Sequence, residues 1–114
     1  MGARMKYNVE VARTATQDLN ATAAYIVNQL KNPASARHLL KSVFECVDSL
    51  EELPARYSII DEPILEAQHL RFIPVHSYLL FYQIEEPTQV VHVLRFLYGK
   101  SNWVSILKTD FNAE

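Results

Sequence analysis

The first apolar pattern in the chain alternates with a period of two residues. Tyr7, Val9 and Val11 are separated by Asn8 and Glu10, so successive side chains would point to opposite sides of an extended backbone. The pattern predicts a short strand over residues 7–11 with one buried face.

A helical pattern follows, in which apolar residues recur every three or four positions. Thr14 and Gln17 have the spacing of a capping box, which predicts that a helix starts at Thr14. Because Pro33 disfavours helical geometry in the residue before it, we expect this helix to end near Lys31. The apolar stripe consists of Leu19, Ala23, Ile26, Val27 and Leu30.

A second helix is predicted directly after the first. Asn32 is a favourable N-cap, Pro33 is a favourable first helical residue, and the helix should close near Leu53, before Pro54. A turn this short predicts an antiparallel helical hairpin with both stripes facing one partner. The second stripe consists of Ala36, Leu39, Leu40, Val43, Val47 and Leu50.

The second half of the chain is rich in aromatic and β-branched residues, which favour strands. Residues 57–68 are ambiguous, and we expect a long loop there with one short strand or turn. A short terminal helix is predicted over residues 102–108. Three strands are predicted, over residues 70–75, 78–85 and 90–98.

Two of these strands can be placed within the sheet. Residues 78–84 are apolar on both faces, so their strand should be central. Pro74 has no amide hydrogen, so its strand should lie at an edge or carry a bulge. The residues that we expect to be buried between hairpin and sheet are Ile26, Leu40, Val43, Val47, Tyr82 and Leu94.

The element order predicts an α+β fold and a single domain over residues 1–114. The helical hairpin packs on one face of a mostly antiparallel sheet, in the order β-α-α-β-β-β with a short C-terminal helix. The other face is short of elements to cover it, which makes it a candidate working surface. We expect residues 1–5 to be disordered or left from cloning, and residues 108–114 to form a flexible tail.

Composition excludes several classes of protein. Apolar residues make up 49% of the chain and the formal net charge is −2, so any basic surface must be local. Cys46 is the only cysteine and the four histidines lack metal-ligand spacing, so we expect no disulfide, metal or cofactor. The chain has no apolar run of about 20 residues and no signal-peptide pattern, so we expect a cytoplasmic protein without a membrane partner.

The corner after the last strand resembles the end of a phosphate-binding loop. Gly99, Lys100 and Ser101 match, but such a loop needs another glycine five residues before Gly99, where this chain has Leu94. We therefore expect Gly99 to serve a sharp turn that lets Trp103 pack back onto the core.

Candidate acid–base and cationic residues lie on the predicted strands and turns. His76, Tyr98 and Lys100, together with Arg71, could support RNA cleavage, because that chemistry needs proton transfer and a positive charge near phosphate. Arg95 either pairs with an acid or presents a cation on the open face. The residues alone leave an enzyme and a binding protein both open.

Three segments resemble the RelE/ParE superfamily of bacterial toxins. They are "QDLNATAAYIVNQLKNPASARHLL", "HLRFIPVHSYLLFYQIEE" and "VVHVLRFLYGKSNW". The most specific features are the Asn32-Pro33 junction between helices, the tyrosines Tyr78 and Tyr82, and Tyr98 leading to Trp103. The resemblance implies a growth-inhibiting toxin of a type II toxin–antitoxin module, often one that stabilises a plasmid, whose antitoxin wraps it with a C-terminal segment.

The resemblance also implies one of two targets. RelE-like toxins are metal-independent endoribonucleases that cut mRNA on the ribosome, whereas ParE-like toxins block DNA gyrase. The ribonucleases usually carry an arginine after the central tyrosine, where this chain has Leu79, and a basic residue where it has Ser101. We therefore expect a ParE-like toxin, with RelE-like cleavage as the alternative and a non-toxic antitoxin-binding module as a third.

The resemblance and the open face together predict the site residues. If the chain is a ribonuclease, the catalytic residues would be His76, Arg71, Lys100 and Tyr98. The residues predicted to bind antitoxin or target are Arg71, Arg95, Lys100, Trp103 and Phe111.

Overall fold

The computed structural model describes residues 6–111, and it confirms the predicted α+β fold and element order. A short 3-10 helix, Pro63–Gln68, lies in the segment that the sequence left ambiguous, and another, Pro54–Arg56, directly precedes that segment. The helices and strands are β1 Asn8–Val11, α1 Arg13–Asn28, α2 Pro33–Ser49, β2 Arg71–Val75, β3 Tyr78–Glu85, β4 Val90–Tyr98 and α3 Trp103–Phe111.

The four strands form one mixed sheet in the order β1-β4-β3-β2. β1 runs parallel to β4, and the other pairs are antiparallel. β3 is central, as its apolar faces predict, and β2 with Pro74 lies at the edge. Part of the β2 edge is closed by the preceding loop, because Phe72 N–H donates to the Ser58 carbonyl and Ile59 bridges to Arg71.

The two helix starts differ in how well the sequence predicted them. Asn32 caps α2 as expected, since its side chain accepts a hydrogen bond from Ser35 N–H at 3.1 Å. The capping box at Thr14 is wrong: Ala12 is the N-cap of α1 and offers no side-chain bond. The Thr14 hydroxyl donates instead to the Leu94 carbonyl at 3.0 Å, because α1 begins directly against β4.

α1 covers the part of the β4 edge that β1 does not pair with. β1 pairs only as far as Val93, so the rest of β4 has no strand on that side. Ala12 N–H donates to the Val93 carbonyl at 2.8 Å, and the Asp18 carboxylate accepts a hydrogen bond from Phe96 N–H at 3.0 Å. These contacts satisfy backbone groups that an open sheet edge would leave exposed.

The main core lies between the hairpin and the sheet. Ile26, Val43 and Tyr82 are buried there as predicted, and Leu40 and Val47 are half-buried at its margin. The other buried members are Ala15, Ala36, Leu39, Leu50, Ile73, Val75, Leu80, Val91, Val93 and Phe96.

Leu94 was predicted in this core and lies on the opposite face of the sheet. The pairing between β3 and β4 shifts at one point, where Tyr82 pairs with Val93 but Phe81 pairs with Arg95. Val93 is buried in the main core, so alternation along β4 already turns Leu94 to the other face. The bulge acts on the residues after Leu94, because it brings Phe96 into the main core and turns Arg95 away from it. Arg95 therefore leaves the face of Val93, contrary to the simple alternation expected from the sequence.

The second face of the sheet is covered, so the prediction of an open working face is wrong. Leu65 from the 3-10 helix Pro63–Gln68 and Leu107 from α3 are both almost fully buried against it. This second core also contains Ile60, Leu70, Phe81 and Leu97.

The predicted chain ends also need correction. Residues 108–111 are the last turn of α3 and not part of a flexible tail. The expectations for residues 1–5 and 112–114 lie outside the described residues.

Candidate functional site

Arg71, predicted as a catalytic and partner-binding cation, is engaged within the protein. Its Nη1 donates to the carbonyl oxygens of Ala55 and Tyr57, at 3.1 and 2.6 Å. These bonds hold the loop before β2 against the strand. Arg71 shares the hairpin side of β2 with Ile73 and Val75.

Arg95 is also paired, which agrees with the first of the two predictions made for it, an ion pair with an acidic residue. It bonds Asp18 of α1 through Nε at 2.7 Å and Nη2 at 2.9 Å, and Asp110 of α3 through Nη1 at 3.1 Å. Hydrogen bonding to Asp18 is the largest cause that raises the pKa of Arg95. Arg71 lies on β2 and Arg95 on β4, and each is bonded to groups within the protein. The predicted shared face of Arg71, Arg95 and Lys100 therefore does not form.

The other three catalytic candidates lie at one end of the sheet. His76 and Ser77 make the turn between β2 and β3, and Gly99 N–H at the end of β4 donates to the Ser77 carbonyl at 2.8 Å. Tyr98 and the exposed Lys100 flank Gly99. Arg71 pairs four residues further along β3, which is about 13 Å from this end at the usual rise per residue.

His76 and Tyr98 face different helices. Its Nε2 lies 3.0 Å from the Ser42 hydroxyl, and its ring is 5.1 Å from that of His38; both residues belong to α2. Tyr98 faces α1 instead, beside Tyr25. The candidate acid–base groups are therefore divided between the two helices.

A groove of about 610 Å³ lies between the C-terminal half of α1 and the ends of β3 and β4, and we call it the tyrosine groove. Burial, with smaller effects from Tyr98 and Tyr25, raises the pKa of Tyr78. At neutral pH this phenol is protonated and serves as a hydrogen-bond donor rather than a base. The groove is lined by Ala21, Thr22, Tyr25, Leu30, Ser77, Tyr78 and Tyr98.

A second concave surface, which we call the hairpin cleft, opens between α1 and α2 over the sheet. It has a volume of about 290 Å³ and is almost entirely apolar, with the side chain of Phe44 57% exposed at its rim. An apolar cleft that continues into an exposed aromatic residue is a surface to which a partner could bind. Sequence analysis missed both concave surfaces, although Tyr25 and Phe44 are large apolar residues outside the helical stripes.

The Gly99 corner docks Trp103 as predicted. The Trp103 ring packs on Phe81 at 5.3 Å, and Phe111 lies partly buried against the same second core. Gly99 has no left-handed φ, so its role differs from the one expected. An added Cβ would lie 3.1 Å from the Ser77 carbonyl oxygen, so a side chain here would force the two backbones apart by a few tenths of an ångström.

Within residues 6–111, no group of three or more His, Cys, Asp or Glu side chains is arranged to hold a metal ion. No helix in the same range is both long enough and apolar enough to span a membrane.

Solved structures of toxins from toxin–antitoxin systems share this fold. A chain from the chromosomal ParDE system of P. aeruginosa matches with a TM-score of 0.65 and 16% identity, covering 82% of this chain and 97% of that one. A RelBE complex of Mycobacterium tuberculosis gives 0.61 and 21%, covering 82% and 98%. A RelE–RelB complex of Pyrococcus horikoshii OT3 gives 0.56 and 14%, covering 84% and 98%.

The sequence itself identifies the family. Residues 9–103 match the family described as "ParE toxin of type II toxin-antitoxin system, parDE". No curated protein matches this sequence significantly. The chain belongs to the ParE toxin family, which confirms the predicted membership of the RelE/ParE superfamily.

Proposed function

We propose that this toxin inhibits growth by occupying a surface of DNA gyrase and not by cutting RNA. One observation carries the proposal: the groups that RNA cleavage would need are not assembled around one point. Arg71 is bonded to two backbone carbonyls, and His76 packs on α2 while Tyr98 faces α1. Phosphoryl chemistry without a metal depends on positioned cations and an acid–base pair.

The corner formed by Lys100 and Trp103, with the helix that runs on to Phe111, is our proposed target-binding element. Lys100 is exposed, and Trp103 and Phe111 are each partly exposed beside it on α3. Aromatic residues backed by a rigid core are the usual anchors of a protein interface. The packing of Trp103 on Phe81 supplies that rigidity.

A supercoiling assay with purified gyrase and relaxed plasmid tests this proposal. We expect the full chain to inhibit supercoiling in proportion to its concentration, and the cognate antitoxin to restore activity. The variant His76→Ala should inhibit as well as the wild type, because it removes the acid–base candidate and leaves α3 intact. If the chain leaves gyrase unaffected at a large molar excess, the proposed target is wrong.

Ribosome-dependent mRNA cleavage is the second candidate. It is favoured by one observation, that His76, Tyr98 and Lys100 all lie at the same end of the sheet. Loss of cleavage in His76→Ala would identify it. A chain that binds antitoxin but has neither activity would be the non-toxic module.

We also propose that a cognate antitoxin fills the hairpin cleft. The neighbouring structures come from toxin–antitoxin complexes, which supports such a partner. The predicted binding face of Arg71 and Arg95 is internally paired, whereas the cleft is apolar and open. An amphipathic helix or strand that inserts apolar residues into a groove is a common mode of recognition.

Phe44 provides the direct test of this binding site. Phe44→Asp places a charge at the rim of the cleft on a side chain that is already exposed, so the fold should persist. We expect the Kd for antitoxin to rise at least about tenfold, as for an interface anchor. Leu53→Asp is the matched control, because Leu53 is more exposed and lies away from the cleft. Equal affinities for both variants would place the antitoxin elsewhere.

A further inference from the structure

Charge is distributed very unevenly along this chain. It contains 13 Asp and Glu residues, yet none falls within residues 19–44, 67–84 or 87–109. Each of these three segments contributes one turn to the same end of the molecule: the turn between α1 and α2, the turn between β2 and β3, and the corner after β4. Their convergence is shown by the His38–His76 ring contact and the Gly99–Ser77 hydrogen bond.

The cations at this end, which we call the cationic end, are available to a ligand. Lys31, Arg37, Lys41 and Lys100 are exposed, and none of them forms an ion pair within the part of the chain that the structure describes. Arg71 and Arg95 differ in that respect, since both are bonded within the protein. Free cations that face solvent can neutralise phosphate without first breaking an internal bond.

The tyrosine groove lies in the middle of the cationic end. Lys31 follows Leu30 of its lining, and Lys100 stands two residues after Tyr98. Tyr25 is 53% exposed, and the ring of Tyr78 is fixed by stacking on Phe96 at 5.0 Å. Aromatic rings beside cations are the combination that binds unpaired bases and the phosphates that join them.

We propose that the cationic end binds single-stranded nucleic acid, with a base in the tyrosine groove and phosphates on Lys31 and Lys100. The proposal does not rest on the proposed inhibition of gyrase, although Lys100 belongs to both surfaces. Several acids lie at the opposite end, where the Glu51 backbone carbonyl accepts a hydrogen bond from Tyr7 N–H and the Glu86 carboxylate accepts one from the Tyr7 hydroxyl. This separation of charge creates an electric field that orients the cationic end toward a polyanion, although the net charge of the chain is −2.

An acidic peptide fits this end less well. An extended peptide gains most of its affinity by adding a strand to an open sheet edge. β2 offers no N–H at Pro74, and α1 occupies the β4 edge through Ala12 and Asp18. Duplex nucleic acid is also disfavoured, because its bases are already stacked and cannot enter a groove.

The first arm of the test measures salt dependence. Labelled ten-nucleotide DNA and RNA strands are titrated with the full chain between 50 and 300 mM KCl, and fluorescence anisotropy gives the Kd. If Arg37 and Lys41 also contact phosphates of the strand, four contacts predict a slope of log K against log salt of about −3, and Lys31→Gln or Lys100→Gln should each reduce its magnitude by about 0.7. Arg13→Gln, an equal loss of charge at the far end of α1, should leave the slope unchanged.

The second arm tests stacking. Tyr25→Ala should weaken binding by about 5- to 150-fold, the range for one stacked base, while Tyr25→Phe retains it. Phe44→Ala is the control, since Phe44 has nearly the same exposure but lies at the hairpin cleft. The inference fails if neither strand binds at 50 mM KCl, if Arg13→Gln matches the lysine variants, or if polyglutamate of equal length binds as tightly.

Discussion

The junction of Asp18, Arg95 and Asp110 should stabilise the fold far more than an ordinary surface ion pair. Asp18 accepts two hydrogen bonds from Arg95, at 2.7 and 2.9 Å, and a third from Phe96 N–H at 3.0 Å. The side chains of Arg95 and Asp18 are only 17% and 16% exposed. The junction thus joins α1, β4 and α3 at a place with little water.

The cost of Asp18→Ala follows from these contacts. Breaking a buried ion pair costs about 3–5 kcal/mol, and an unsatisfied buried amide costs about 1–3 kcal/mol. Asp110 still compensates part of the Arg95 charge, and neither partner is fully buried. We therefore expect a loss of about 3 kcal/mol in the free energy of unfolding, measured by urea denaturation at 25 °C.

Two further variants separate charge from packing. The double variant Asp18→Ala, Arg95→Leu should have a free energy of unfolding at least about 1 kcal/mol higher than that of Asp18→Ala alone, because no unpaired guanidinium remains. Glu51→Ala breaks the exposed Lys6–Glu51 pair, whose atoms are 3.8 Å apart, and should cost well under 1 kcal/mol. If Asp18→Ala costs no more than Glu51→Ala, the junction is not the support that its geometry indicates.

Two other predictions concern the main core and alkaline pH. Val43→Ala should lower the free energy of unfolding by about 1–3 kcal/mol, because it leaves a cavity between hairpin and sheet. Val27 on α1 is exposed, so Val27→Ala should be nearly neutral. Equal urea midpoints for the two variants would refute the assignment of Val43 to the buried face of its helix. Burial raises the pKa of Tyr82 to about 12. The unfolded chain therefore loses this proton first, so stability is full below about pH 10 and falls by up to about 2–3 kcal/mol as the pH rises to 12. Unfolding curves at pH 9, 10 and 11 should show that stability falls less with pH in Tyr82→Phe than in the wild type. An equal fall in both proteins would assign the titration to other groups.

The fold was predictable because local and long-range signals agree along most of the chain. The Asn32-Pro33 junction is a strong helix signal, and the strands of the second half have apolar patterns interrupted by clear turns. Pro74 marked an edge strand for a simple chemical reason, its missing N–H.

The β-bulge could not be predicted from periodicity. The residues around Leu94 are apolar on both sides of the strand, so a shift of one residue changes no visible pattern. That shift brought Phe96 into the main core and carried Arg95 off the face of Val93. Leu94 was assigned to the wrong face because β4 is apolar on both faces. The covered second face was missed for a related reason, because the apolar residues Ile60 and Leu65 lie in a segment without helix or strand periodicity.

The candidate site was predicted only in part. Residue types pointed to His76, Tyr98 and Lys100, and the structure brings them to one end of the sheet. The sequence could not show that Arg71 bonds backbone carbonyls, since its partners lie 14 and 16 residues away, in and just after the 3-10 helix Pro54–Arg56. The concave surfaces depend on how α1 and α2 lie across the sheet, which no local pattern specifies.

One paired measurement tests the central claim, that the toxin acts on a protein surface without acid–base chemistry. The wild type and His76→Ala are added at equal concentrations to a gyrase supercoiling reaction and to a reconstituted translation reaction with a labelled mRNA. We expect both proteins to inhibit supercoiling, and we expect the mRNA in the translation reaction to stay intact with either protein. Specific mRNA cuts by the wild type that disappear in His76→Ala, with supercoiling unaffected, would contradict it.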